Sequence, residues 1–175
     1  MLNDPEWASE EEWDIYAWFG FAMQEAQAIE QMLLVITVAF DMKNGKFSPE
    51  ENHWAGLYDK FGRLTLGQLL SHIRKHSVLS KILEDNIKKA VIARNKLAHA
   101  FFLPNSHKGE ESALITSQKR LMDAASLFSN LKPQLENIMG ELLFNLTIER
   151  NAAEKEVEVL LDDKDKKYGI GQQQL

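Results

Sequence analysis

The chain has 175 residues, 45% of them hydrophobic, which is enough for the core of one ordinary domain and short for two. It has no cysteine, so disulfides and thiolate metal sites are excluded, and its formal net charge of −6 argues against a generic nucleic-acid binder. Residues Met1 to Trp7 carry neither the basic cluster nor the apolar run of a secretory signal, and the longest apolar run, Met32 to Phe40, falls far short of the roughly 20 residues a membrane helix needs. The expected location is the cytoplasm, without membrane contact.

Ser9 followed by Glu12 forms the sequence signature of a capping box. Behind it Trp13, Tyr16, Phe19, Met23, Ala26, Ile29, Leu33, Ile36 and Phe40 recur at three- and four-residue steps, which predicts a long central helix from about Glu10 to Asp41. Asn44-Gly45 marks a turn. Ser48-Pro49-Glu50-Glu51 supplies a cap, a proline at the first helical position and acidic residues in the first turn of a short second helix, which stops at Gly62. Thr65 with Gln68 opens a third helix that runs to about His76.

A fourth helix is expected from Val78 to about Phe101, with Leu79, Ile82, Leu83, Ile87, Val91, Leu97 and Ala98 as its apolar side. Pro104 and Asn105 end it. Thr116 or Ser117 caps a fifth helix through Leu121, Ala124, Leu127, Phe128, Leu131, Leu135, Ile138, Leu142 and Leu146, which Pro133 is expected to kink or divide. No segment alternates as a strand does, and no internal repeat is present. The reading is an all-α bundle of about five helices forming one domain over residues 1–161, with an unstructured tail at 162–175.

Charge is unevenly distributed along this order. Residues 1–59 carry a net −10, residues 60–100 a net +7 and residues 101–175 a net −3. Two readings of the basic segment stand: a helix packed beside an acidic one, or a phosphate-facing surface with Lys88, Lys89 and Lys96 as its contacts.

The basic segment ends in Arg94-Asn95-Lys96-Leu97-Ala98-His99. At 100° per residue Asn95 and His99 share a helix face, whereas Arg94 and His99 diverge by about 140°. Asn95 is placed to hold the imidazole in one tautomer; Arg94 needs its length, or a second chain, to work with His99. A structural alternative is available, because Arg and His⁺ near a helix C-terminus interact favourably with its free carbonyls.

The string Ile92 to Phe101 resembles the Arg-x₄₋₆-His signature of the HEPN superfamily, including the polar residue after the Arg and the small-aromatic pair after the His. The order of elements around it, a long first helix before and a long final helix after, is similar to that family over roughly residues 10–150. The resemblance implies a metal-independent endoribonuclease, a toxin or defence effector, acting as a homodimer with two motifs across one groove. Carried onto this sequence, His99 is general acid or base, Arg94 stabilises charge on the phosphoryl group, and Asn95 orients His99 or the phosphate. RNA, a second copy and an antitoxin protein are the partners implied, with no cofactor and no metal. In some HEPN toxins a Tyr two residues after the His is modified by a partner nucleotidyltransferase; here that position is Phe101, so regulation by that route is not expected. Other HEPN domains are non-catalytic RNA- or protein-binding modules, and that is the alternative.

Two further constellations carry less. His72 and His76 are four apart, but Arg74 and Lys75 between them make a poor cation site, and Glu50-x-x-His53 has no second copy. Glu25 and Glu30 interrupt the apolar first helix: exposure is the default for both, with a basic side chain of the motif helix as an available partner for Glu30. Trp13, Tyr16, Trp18, Phe19 and Phe21 surround that helix more fully than one packing stripe requires, which leaves surface for a dimer interface.

Overall fold

A computed structural model describes residues 9–45, 53–76, 79–102 and 111–168. Five helices follow in order: α1 (Glu10–Asn44), α2 (His53–Gly62), α3 (Leu66–His76), α4 (Lys81–Ala100) and α5 (Glu111–Tyr168). All regular structure among the described residues is helical, as the periodicity predicts. No helix there is long and apolar enough to cross a membrane.

The helix starts are set by local chemistry. At α1 the Ser9 backbone N–H donates to Glu12 Oε2 at 2.8 Å while the Glu12 N–H donates to Ser9 Oγ at 3.3 Å, closing the capping box. Thr65 and Gln68 repeat the exchange at α3, at 2.8 and 3.4 Å. Ser80 caps α4, its Oγ accepting from the Leu83 N–H at 3.2 Å. The Ser48-Pro49 start expected for the second helix, and Val78 before the fourth, lie outside the described residues.

The frame of the bundle is α1 lying alongside α5, the two running in the same direction. Ile15 near the start of α1 meets Leu114 near the start of α5, and Glu25 bonds Ser129 and Lys132 further along both. At 1.5 Å per residue α1 spans about 52 Å and α5 about 87 Å, so α5 outruns its neighbour. Leu146, the last buried residue described on α5, sits about level with the end of α1. Helix α4 returns antiparallel to α1, with Arg94 against Glu30 and Phe101 against Phe19. Helix α3 runs antiparallel to α4, Gly67 lying by Val91 and Arg74 pairing with Glu84.

These faces enclose one core in which Ile29, Leu33 and Ile36 of α1 meet Leu69 and Ile73 of α3, Ile87 of α4, and Leu121, Phe128, Leu131 and Leu135 of α5, all fully buried. Burying each such side chain contributes about 1.5–3 kcal/mol, which makes this core, rather than the surface ion pairs, the main source of stability. Thr37 is buried among them, its hydroxyl donating to the Leu33 carbonyl at 2.7 Å.

Several expectations are corrected. Of the two outcomes expected at Pro133, division does not occur, since α5 runs unbroken past it. A proline removes one N–H, and the long contact of α5 with α1 holds the helix on either side. Ile82 does not belong to the apolar side of α4: it is 75% exposed, and Ala98 is exposed too. Only Leu83, Ile87, Ala90 and Leu97 are buried there, a narrower stripe than the apolar composition implies. The backbone of α5 continues to Tyr168, into the segment read as an unstructured tail, and residues 169–175 lie outside the described residues.

Candidate functional site

The motif occupies the last two turns of α4. That helix buries Leu83, Ile87, Ala90 and Leu97 against the bundle, so residues half a turn away face solvent. Asn95 and His99 are both on the open side. Their side chains make no hydrogen bond among the described residues, so nothing there fixes one tautomer of the imidazole. Arg94, about 140° round the helix from His99, turns towards α1 instead. Its Nη2 lies 3.4 Å from Glu30 Oε2, with the two side chains 28% and 23% exposed.

The sequence-predicted residues are thus partly separated. Arg94 is tied within the chain, and the imidazole that would work with it points elsewhere. His99 stands in the last turn of α4.

Just after His99 in the chain, Phe101 and Phe102 join an aromatic cluster. Phe102 stacks on Tyr16 with centroids 5.6 Å apart and meets Phe19 edge-on at 4.6 Å, while Phe101 stacks on Phe19 at 5.4 Å. Trp13 meets Tyr16 edge-on at 6.1 Å. Phe19 and Phe101 are half-buried, whereas Trp13, Tyr16 and Phe102 keep more than a third of their surface in solvent. The aromatic excess of the first helix is therefore divided between packing the end of α4 and an open patch.

The three lysines proposed as RNA contacts do not act alike. Lys88 is bonded to Glu84 and lies 3.5 Å from Asp85, and the hydrogen bond from Lys88 holds the Glu84 carboxyl below its ordinary range while raising the Lys88 ammonium above its own. Asp85 is likewise lowered, chiefly by its bond from Lys81. Lys89 and Lys96 instead line a groove of about 730 Å³ between α4 and α5. Ile92, Leu97 and Phe101 form its α4 wall, and Ala124 and Leu127 its α5 wall. Arg120 of α5 joins the two lysines at the groove. Neither Arg94 nor His99 lines it.

Sequence reasoning missed Arg120, which follows Lys119 on a helix read for its apolar positions alone. Two adjacent cations gave no signal that one of them would face α4. It also misjudged Glu25, which is 7% exposed rather than solvated: Ser129 Oγ donates to Glu25 Oε2 at 2.9 Å and Lys132 Nζ to Oε1 at 3.2 Å, so both oxygens are satisfied.

Among the described residues no three metal-ligating side chains converge. His72 lies against the Phe61 ring at 4.7 Å, its Nε2 3.7 Å from Asp41 Oδ1, while Glu50 and the side chains of His53 and His76 lie outside the described residues. Comparison with protein-family models, with curated proteins and with solved structures finds no match to this chain.

Proposed function

We propose that the chain is a metal-independent endoribonuclease of HEPN type that acts in the cytoplasm as a homodimer, in the manner of a toxin or defence effector. The observation that supports this reading best is the open presentation of Asn95 and His99 on one face at the end of α4; Arg94, paired with Glu30 on the side towards α1, would serve the site of the second copy. An imidazole titrates near neutrality and a guanidinium matches a phosphate with a planar fork of donors. In the proposed reaction a ribose 2′-hydroxyl attacks the adjacent phosphorus as its proton passes to His99 of one copy. The bond to the 5′ oxygen breaks, and that oxygen takes a proton from His99 of the second copy. The products are a 2′,3′-cyclic phosphate and a 5′-hydroxyl. Arg94 stabilises the charge on the phosphoryl oxygens, and Asn95 orients the imidazole or the phosphate.

The test is incubation of the purified protein with mixed RNA in the presence of EDTA, followed by analysis of the product ends. Cleavage with cyclic phosphate ends, lowered about 10²- to 10⁴-fold in His99→Ala, is expected. Cleavage that requires added Mg²⁺ would rule the mechanism out.

A second reading has its own observation. The Arg94–Glu30 pair accounts for Arg94 as a tie between α4 and α1, which suits a non-catalytic helical module that binds RNA or protein. Absence of cleavage by the wild type, with RNA still bound, selects this reading.

A further inference from the structure

The basic side chains of α4 divide by what they face. Lys81 and Lys88 pair with Asp85 and Glu84, and Arg94 pairs with Glu30. Lys89 and Lys96 make no ion pair among the described residues, nor does Arg120, and these three are the cations at the α4/α5 groove. Among the described residues, three cations without an ion pair are therefore gathered around one concavity, against a single carboxylate there, Asp123. Its floor is aliphatic: Ile92, left 55% exposed, lies with Leu97 and Leu127 between alanines, and Phe101 supplies the one ring.

An occupant must satisfy both features. Phosphates of an RNA meet the cations of the rim but leave the floor uncovered, since bases are held by aromatic stacking and a duplex offers only phosphates to such a surface. An amphipathic helix matches both, by laying an apolar stripe on the floor and carboxylates against the rim. The dimensions agree: Lys89 to Phe101 spans about 18 Å along α4, some three helical turns, and Lys89 and Lys96 stand about 10 Å apart, so acidic residues seven apart on an incoming helix meet both.

We propose that the α4/α5 groove is a docking site for an acidic amphipathic helix of a partner protein, with Lys89, Lys96 and Arg120 pairing its carboxylates and Ile92 and Leu127 receiving its apolar stripe. Docking itself is independent of the ribonuclease reading. The regulatory consequence, exclusion of RNA from Lys89 and Lys96, rests on that reading.

The experiment measures fluorescence anisotropy of a labelled, helix-stapled peptide of about 14 residues, with leucines at i, i+3 and i+7 and glutamates on both flanks, titrated with the full chain. A peptide of the same composition with its stripe scrambled, and one with lysine flanks, are the controls. Saturable binding of the acidic peptide at least tenfold tighter than either control is expected. Ile92→Asp and Arg120→Glu each weaken it about tenfold or more while melting as the wild type does, because both residues are solvent-exposed. Equal binding of acidic and basic peptides, or none, overturns the proposal. Displacement by oligouridine together with indifference to Ile92→Asp also overturns it and makes the groove a phosphate surface. Conversion of a dimer into a monomer by Ile92→Asp overturns it in favour of an interface between copies. Peptide binding without any RNA cleavage leaves the docking site standing and removes only the proposed activity.

Discussion

Arg94 on α4 reaches Glu30 on α1, Nη2 to Oε2 at 3.4 Å, across 64 residues of chain. The next residue along, Asn95, and His99 one turn later lie on the open side of the same helix. A single stretch thus joins the bundle at one residue and presents polar side chains at two others. The pair's function, whether anchor or holder of a reactive guanidinium, is separable by substitution.

Arg94→Lys keeps a cation for Glu30 but loses the planar fork. The variant is expected to melt within about 2 °C of the wild type and to cleave RNA at least tenfold more slowly, since a pair this accessible contributes only about 0.5–1 kcal/mol. A double-mutant cycle of Glu30→Gln with Arg94→Gln measures that coupling directly. Wild-type activity in Arg94→Lys would remove Arg94 from the chemistry.

Charge reversal distinguishes the two adjacent lysines. Lys89→Glu, in the groove, is expected to weaken RNA binding and flatten its salt dependence without changing helicity. Lys88→Glu instead places a third acidic group beside Glu84 and Asp85, so its effect falls on thermal stability. Filter binding at two salt concentrations and circular dichroism melts read the two separately; equal loss of RNA binding in both variants contradicts the division of the lysines.

Glu25 is a buried carboxylate whose removal strands Lys132. Glu25→Ala is expected to cost roughly 2–4 kcal/mol by urea unfolding, because a partly buried ammonium is left uncompensated. Glu25→Met with Lys132→Met removes both charges and should recover most of the loss. A double variant as unstable as the single one would mean that the site is held by packing alone.

Phe128 is fully buried where α5 crosses the core. Phe128→Ala removes a ring that the rigid α1–α5 contact cannot collapse to fill, at a cost of about 3–5 kcal/mol. A loss below 1 kcal/mol in denaturant unfolding would show that this part of the core relaxes freely.

The carboxyls of Glu84 and Asp85 titrate below their ordinary values in the folded protein, held by Lys88 and Lys81. A depressed folded-state value contributes stability above the unfolded value that disappears as pH falls through the folded one. Acidification from pH 5 downward should therefore lower the melting temperature, and Lys88→Ala should make that decline shallower. Since these ion pairs lie at the surface, the effect is small and diminishes with salt. A decline unaffected by Lys88→Ala assigns the acid sensitivity elsewhere.

What the sequence determined was local. Ser9 with Glu12, Thr65 with Gln68 and the three- and four-residue apolar steps specify helices and their starts through hydrogen bonds and periodicity within one or two turns, so the bodies of the five described helices and the all-α class were legible without knowing what packs on what. The angular separation of Arg94 from His99 was legible for the same reason, being a property of one helix. The tertiary structure decided which faces meet. It buried Glu25 because Ser129 and Lys132 arrive from another helix, and exposed Ile82 because α4 offers only a narrow stripe to the core. It chose Glu30 for Arg94, parted Lys88 from Lys89 and brought Arg120 to the groove. Each of these depends on contacts between residues far apart in the chain, where a polar group's partner and an apolar group's cover are set by the neighbouring helix and not by its own sequence.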